Sequence, residues 1–105
     1  MNFKDINFEN KDSLETFLTL KDFVQFNLES LSEMEECYHQ DFNPISRKII
    51  KDYLYEYFFD YYAGCQDLHS LLVHSSDANE KILEGVLNEI LSSKDILNKF
   101  DNYYP

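Results

Sequence analysis

The chain has 105 residues, enough for one domain with a modest core, and 44% of them are hydrophobic. Twenty Asp and Glu against nine Lys and Arg give a net charge of −11 with histidine neutral. This charge argues against nucleic acid and anionic membrane as direct ligands, because both would repel the protein. The hydrophobic content, with nine Phe and eight Tyr, excludes a disordered acidic tail.

Glycine and proline are scarce, with two of each in the sequence. Few hairpin turns are therefore encoded, while apolar residues recur at helical spacing through most of the chain. We predict an all-α fold, a compact antiparallel bundle of four to six helices in a single domain over residues 1–105. Residues 1–11 are expected to form a loosely ordered lead-in, and residues 101–105 a short tail.

The first ten residues lack the features of a secretory signal, and no run approaches the roughly 18 apolar residues of a transmembrane helix. We therefore expect a cytoplasmic protein. In that compartment Cys37 and Cys65 are expected to be reduced thiols.

The first helix is predicted to begin at Asp12, which with Glu15 resembles a capping box. An apolar stripe continues from there to Tyr38, with a slip near Thr19 that could divide the helix in two. The helix is expected to end before the turn over residues 41–44.

The second long helix has a clear start signal in Asn43 and Pro44. Proline at the first helical position needs no hydrogen bond from its nitrogen, and its φ is already helical. This helix is predicted to run to about Gly64, followed by a separate helix of about two turns.

The last third of the chain carries two further start signals. Asp77 and Glu80 form a capping pair before a strongly amphipathic stretch, which predicts a helix there. Ser92 or Ser93 is expected to cap a final short helix.

Residues 51–65, KDYLYEYFFDYYAGC, combine seven aromatic rings with three carboxylates. On a wheel of about 100° per residue, one face is a core stripe. The members of this predicted stripe are Ile50, Leu54, Tyr57, Phe58, Tyr61 and Cys65. Asp52, Glu56 and Asp60 stack on the opposite face, with apolar side chains on both flanks. The flanking residues are Ile49, Tyr53, Tyr55 and Phe59.

Two interpretations of this helix follow. In the first, neighbouring helices cover the flanking rings, and the acids only line a solvated boundary. In the second, the rings stay exposed and the surface binds a partner. In the second case the rings anchor the interface and the carboxylates meet Lys and Arg of the partner. The residues predicted to bind the partner are Asp52, Tyr53, Tyr55, Glu56, Phe59 and Asp60.

A second acidic row, Glu29, Glu33 and Glu36, approaches the carboxyl end of the first helix. Negative charge there opposes the helix dipole, at a cost of up to about 1 kcal/mol. Solubility explains such a row, and so does imitation of nucleic-acid phosphates or a match to a basic cleft. These three residues are the alternative candidates for partner binding.

The sequence gives weaker signals for metal and thiol chemistry. Glu36 and His39 match half of a di-iron motif, but no second pair exists at that spacing. Cys37, His39, Cys65 and His69 are zinc-binding residue types, although the first two point to different sides of a helix. The carboxylates around Cys65 disfavour a reactive thiolate. We predict no enzyme, no cofactor and no metal.

The composition is typical of small acidic inhibitors. We predict a non-enzymatic protein that neutralises a basic partner by occluding its active or nucleic-acid-binding site, most simply an immunity protein or antitoxin against a nuclease toxin. Rapid electrostatic association suits that task. The alternatives are a helical module that acts through self-association and a phage DNA mimic that blocks a host defence nuclease.

Overall fold

Helices account for most of the chain, and the computed structural model describes residues 3–105. Within that range lie α1 (Lys11–Gln40), α2 (Pro44–Ser75), α3 (Glu80–Asn98) and a single turn, α4 (Phe100–Tyr103). No strand occurs among the described residues, apart from an isolated bridge between Phe8 and Ser76. The predicted all-α bundle is confirmed.

The N-terminus of α2 is built as predicted. The Asn43 side chain accepts hydrogen bonds from the backbone N–H groups of Ile45 and Ser46 at 2.9 and 3.2 Å, and Pro44 occupies the first helical position. These contacts satisfy N–H groups that have no partner within a helix.

The predicted caps of α1 and α3 are wrong. Asn10, not Asp12, caps α1 by accepting from the Ser13 N–H at 2.9 Å. Asp12 lies in the first turn, where its charge interacts favourably with the helix dipole.

At α3, Asn79 replaces the predicted Asp77 as the cap and accepts from the Ile82 N–H at 3.0 Å. Asp77 is engaged elsewhere, because it accepts from the backbone and side-chain nitrogens of Asn7 at 2.7 and 3.0 Å. A contact 70 residues away in sequence therefore decides which residue caps α3.

The predicted end of α2 at Gly64 is also wrong, because α2 continues without a break to Ser75. Gly64 is buried where α1 crosses α2. A Cβ at this position would lie 3.0 Å from Val24 Cγ2 and 3.1 Å from a ring carbon of Phe23. The glycine permits a close approach of the two helices instead of ending one of them.

Hydroxyl side chains do not interrupt α1 or α3 either. Thr19 Oγ1 donates to the Glu15 carbonyl at 3.1 Å, and Ser93 Oγ donates to the Glu89 carbonyl at 2.8 Å. Both hydroxyls are thus satisfied by the preceding turn of their own helix. The expected division near Thr19 does not occur, and Ser92 and Ser93 lie inside α3.

α2 is the central helix, since α1 and α3 both pack against it. Its buried side chains meet those of both neighbours in one core, and the molecule measures 50 × 22 × 17 Å. The fully buried side chains are Asn27, Tyr38, Leu54, Cys65, Leu68, Leu72 and Val86. Of the residues described, none belongs to a helix long and apolar enough to cross a bilayer.

The lead-in over residues 3–10 pairs with the connection between α2 and α3. Glu9 N donates to the Ser75 carbonyl at 2.9 Å, and Asp77 N donates to the Asn7 carbonyl at 3.0 Å. The Phe3 ring also packs on the ring of Phe17, with the centroids 5.3 Å apart. The first two residues of the predicted lead-in lie outside the described residues.

At the opposite end of the molecule, the residues predicted to form a tail pack against the helices. Tyr104 is buried, with its ring centroid 5.5 Å from that of Tyr38 and 4.9 Å from that of Phe100. Tyr38 donates its hydroxyl to the Pro105 carbonyl, and Arg47 stacks 4.2 Å above the Tyr38 ring. The segment after α3 therefore contributes to the core.

The two glycines are expected to respond oppositely to substitution. Gly85→Ala should raise the free energy of unfolding by about 0.8 kcal/mol, because alanine favours a helix and position 85 faces open space. Gly64→Leu should lower it by about 2 kcal/mol, because the new side chain would overlap Val24 and Phe23. Urea unfolding followed by far-ultraviolet circular dichroism measures both. A Gly64→Leu protein as stable as the wild type would contradict the close helix crossing.

The bond between the lead-in and Asp77 should depend on pH. Hydrogen bonds from Asn7 lower the pKa of Asp77. The ionised carboxylate therefore stabilises the fold above its ordinary pKa, and this stabilisation is lost as the pH falls through the lowered value. Asp77→Ala should be less stable than the wild type at neutral pH, and the difference should shrink below about pH 4. Unfolding curves of both proteins across this pH range provide the measurement. A difference in the free energy of unfolding that does not change with pH would refute a role for the ionised Asp77 carboxylate.

Candidate partner-binding surface

The rotational setting of α2 is fixed by its core residues. Leu54, Phe58, Tyr61 and Cys65 of the predicted stripe are buried, while Ile50 and Tyr57 are half-buried. Asp52, Glu56 and Asp60 lie on the opposite side of the helix, as expected from about 100° per residue. Asp52 and Glu56 are exposed and Asp60 is half-buried. We call these three residues the acidic row.

The aromatic residues that flank the acidic row are not covered by neighbouring helices. Tyr53, Tyr55 and Phe59 each keep about half of their surface exposed, at 48 to 49%. The Tyr55 ring makes an edge contact with the Phe100 ring, with the centroids 5.5 Å apart, and the Tyr53 ring stacks on that of Tyr57 at 6.5 Å. The rings of Tyr53 and Tyr55 are therefore packed on one side and still accessible.

Two strongly exposed apolar side chains near the start of α2 were not among the predicted flanking residues. Phe42 is 85% exposed and Ile45 74%, and the predicted Ile49 is 53% exposed. Ile45, Ile49 and Tyr53 are four residues apart and form a row along α2, which helical spacing from the predicted start could have revealed. Phe42 precedes the helix and lines a groove with Lys48 and Lys51, so it lies outside this row. We call Ile45, Ile49 and Tyr53 the apolar row.

Both rows, with Tyr55 and Phe59, form the α2 outer face. Its carboxylates have no partner inside the fold, since no side-chain hydrogen bond or ion pair of the acidic row is present within residues 3–105. Lys48, the cation placed to relieve Asp52, forms no ion pair with it. The face therefore combines exposed apolar area with uncompensated negative charge.

The second predicted row lies on α1 and has a different character. Glu29, Glu33 and Glu36 are all exposed. Glu29 accepts from Gln25 at 3.0 Å, and Glu36 accepts from Gln40 at 3.3 Å. No hydrogen bond or ion pair in the described range joins this row to the one on α2.

One exposed ring stands beside the α1 row. Phe26, which is 59% exposed, lies three residues before Glu29. The α2 outer face, with five large apolar side chains exposed, has far more contact area of the kind that anchors an interface.

The alternative zinc ligands are not brought together. Cys37 is exposed on α1, whereas Cys65 is buried in α2. Among residues 3–105, no group of three or more His, Cys, Asp or Glu side chains is arranged to hold a metal ion. The half motif of Glu36 and His39 likewise has no third ligand within that range.

A polar pair formed by the buried Tyr61 and the half-buried Glu89 lies behind the outer face. Tyr61 donates its hydroxyl to Glu89 at 3.0 Å, on a groove of about 610 Å³ lined by residues from all three long helices. Burial raises the pKa of Tyr61, and burial also raises the pKa of the Cys65 thiol to about 11. Cys65 belongs to the buried core, and its thiol is protonated at physiological pH.

Comparison of the chain with protein-family models, curated proteins and solved structures found no significant match.

The two thiols should differ in reactivity. Cys37 is exposed and should react readily with a chromogenic disulfide reagent at about pH 8, whereas Cys65 is buried and only about one in a thousand of its thiols would be ionised. Native protein is expected to release one equivalent of chromophore and denatured protein two. A native Cys37→Ser control that still reacts quickly would show that Cys65 is accessible after all.

Proposed function

We propose that this protein binds a basic protein through the α2 outer face and so covers the partner's nucleic-acid-binding surface, as an inhibitor of a nuclease toxin would. The observation that carries this proposal is the exposure of five large apolar side chains around unpaired carboxylates on one side of α2. Clustered apolar exposure of this kind is typical of interaction sites and unusual on a free surface.

Solubility alone does not explain the face. A solvated helix face needs carboxylates but no exposed rings, and a core helix needs rings but no carboxylates. The rings of Tyr53 and Tyr55 already pack on neighbouring rings, so binding would cost little conformational entropy in immobilising them. The arrangement favours a specific protein partner.

The charge indicates what kind of partner this is. Asp52 and Glu56 lie unpaired in a protein of net charge −11, so Lys and Arg of a partner would neutralise a charge that the fold leaves uncompensated. Proteins that bind nucleic acid carry such basic surfaces for their own substrates. Electrostatic attraction would also speed association, which suits an inhibitor of a harmful enzyme.

Self-association is the second candidate, and the exposed Ile45 and Ile49 favour it. Two copies meeting at this face would, however, bring their acidic rows and their charges of −11 together. A basic partner removes that repulsion, and for this reason we prefer it.

A charge-reversal variant tests the proposal. Tagged wild-type protein should capture from the native host one basic protein whose nuclease or nucleic-acid-binding activity the purified chain inhibits. Asp52→Lys with Glu56→Lys should weaken that purified complex by about 100-fold, because attraction becomes repulsion at the interface. Affinity measured at low and high salt should fall as salt screens the charges.

Asp22→Lys with Glu84→Lys is the matched control. Each substitution exchanges −1 for +1, so both double variants change from −11 to −7, and Asp22 and Glu84 are exposed on α1 and α3, away from the α2 outer face. The control should keep its affinity within about threefold. Equal losses in both variants would mean that net charge alone is recognised. Unchanged binding by the Asp52 and Glu56 variant would refute the proposed site.

A further inference from the structure

The acidic row repeats at the period of a helix. Asp52, Glu56 and Asp60 are each four residues apart, so their backbone positions are separated by about 6 Å along the axis of α2. A second helix with Lys or Arg four residues apart carries its cations at the same spacing of about 6 Å. Three successive charge pairs can therefore form between two helices without distortion of either one.

The apolar row adds a second requirement. It runs beside the acidic row, with Ile49 three residues from Asp52 and four from Tyr53, so the partner must offer apolar and cationic side chains in adjacent rows. A helix presents such adjacent rows on one side, because residues three and four apart share a face. An extended segment presents a single row on each face.

We infer that the partner element recognised by the α2 outer face is a basic amphipathic helix, with Lys or Arg at every fourth position beside a row of apolar residues. This inference rests on the proposed function and specifies its partner. The contact extends from Ile45 to Asp60, about 22 Å along the axis of α2, so the partner helix needs about four turns.

Two synthetic peptides of equal composition, each about 16 residues long, test the inference. One has lysines at every fourth position beside a row of leucines in an alanine-rich helix, and the other has the same residues with the lysines dispersed around the helix. Fluorescence anisotropy should show wild-type protein binding the patterned peptide at least about tenfold more tightly. Equal affinities would overturn the inference, since charge alone would then suffice.

Variants of the chain locate the contact. Ile45→Ser with Ile49→Ser should weaken binding of the patterned peptide by about tenfold, because both side chains are exposed in the apolar row. Leu87→Ser with Leu91→Ser is the matched control, an exposed apolar pair on α3, and should change affinity by less than about twofold. Equal effects of the two variants would overturn the inference. So would a wild-type dimer, seen by sedimentation, that Ile45→Ser with Ile49→Ser dissociates.

Failure of the inference is distinguishable from failure of the proposed function. If a captured basic protein loses affinity for the Asp52 and Glu56 variant while the two peptides bind equally, the proposed function stands and the partner element is not a helix. If charge reversal leaves the captured complex unchanged, the proposed function itself fails.

Discussion

The rotational setting of α2 is the constraint on which the rest of the structure depends. Leu54, Cys65 and Leu68 are completely buried, and they lie on the side of α2 that α1 and α3 cover. Two neighbouring helices can cover only part of a helix that is apolar almost all round. The acidic row then faces outward together with the rings beside it, and the properties of this surface follow from how few helices the chain provides.

Much of this fold follows from local sequence. The positions of the three long helices, the cap at Asn43 with Pro44, and the core stripe of α2 all depend on periodicity and on side chains within four residues of one another. These features can be predicted from the sequence alone, because the groups that interact are neighbours in the chain. The exposed acids of both rows were predictable for the same reason.

Two of the errors have a long-range cause. Gly64 was predicted to end a helix because its packing against Phe23 and Val24 cannot be deduced from local sequence. Asp77 was predicted to cap α3 because the hydrogen bonds that its carboxylate accepts from the distant Asn7 cannot be deduced from local sequence. In the candidate site, exposure of the flanking rings depends on which sides of α2 the other helices occupy, and periodicity does not specify this for a helix with apolar residues on most sides. The sequence was therefore compatible with both covered and exposed rings, and the structure was needed to decide between these two interpretations.

The pairing of the lead-in with the connection after α2 has a consequence for the order of folding. Its hydrogen bonds join residues about 70 positions apart, and closing so long a loop is entropically unfavourable until α1 and α2 already lie antiparallel. The lead-in then docks onto a hairpin that exists without it. It should also be able to detach while the helices stay packed, so its amide hydrogens would exchange with solvent through local opening, faster than those at the centre of α2.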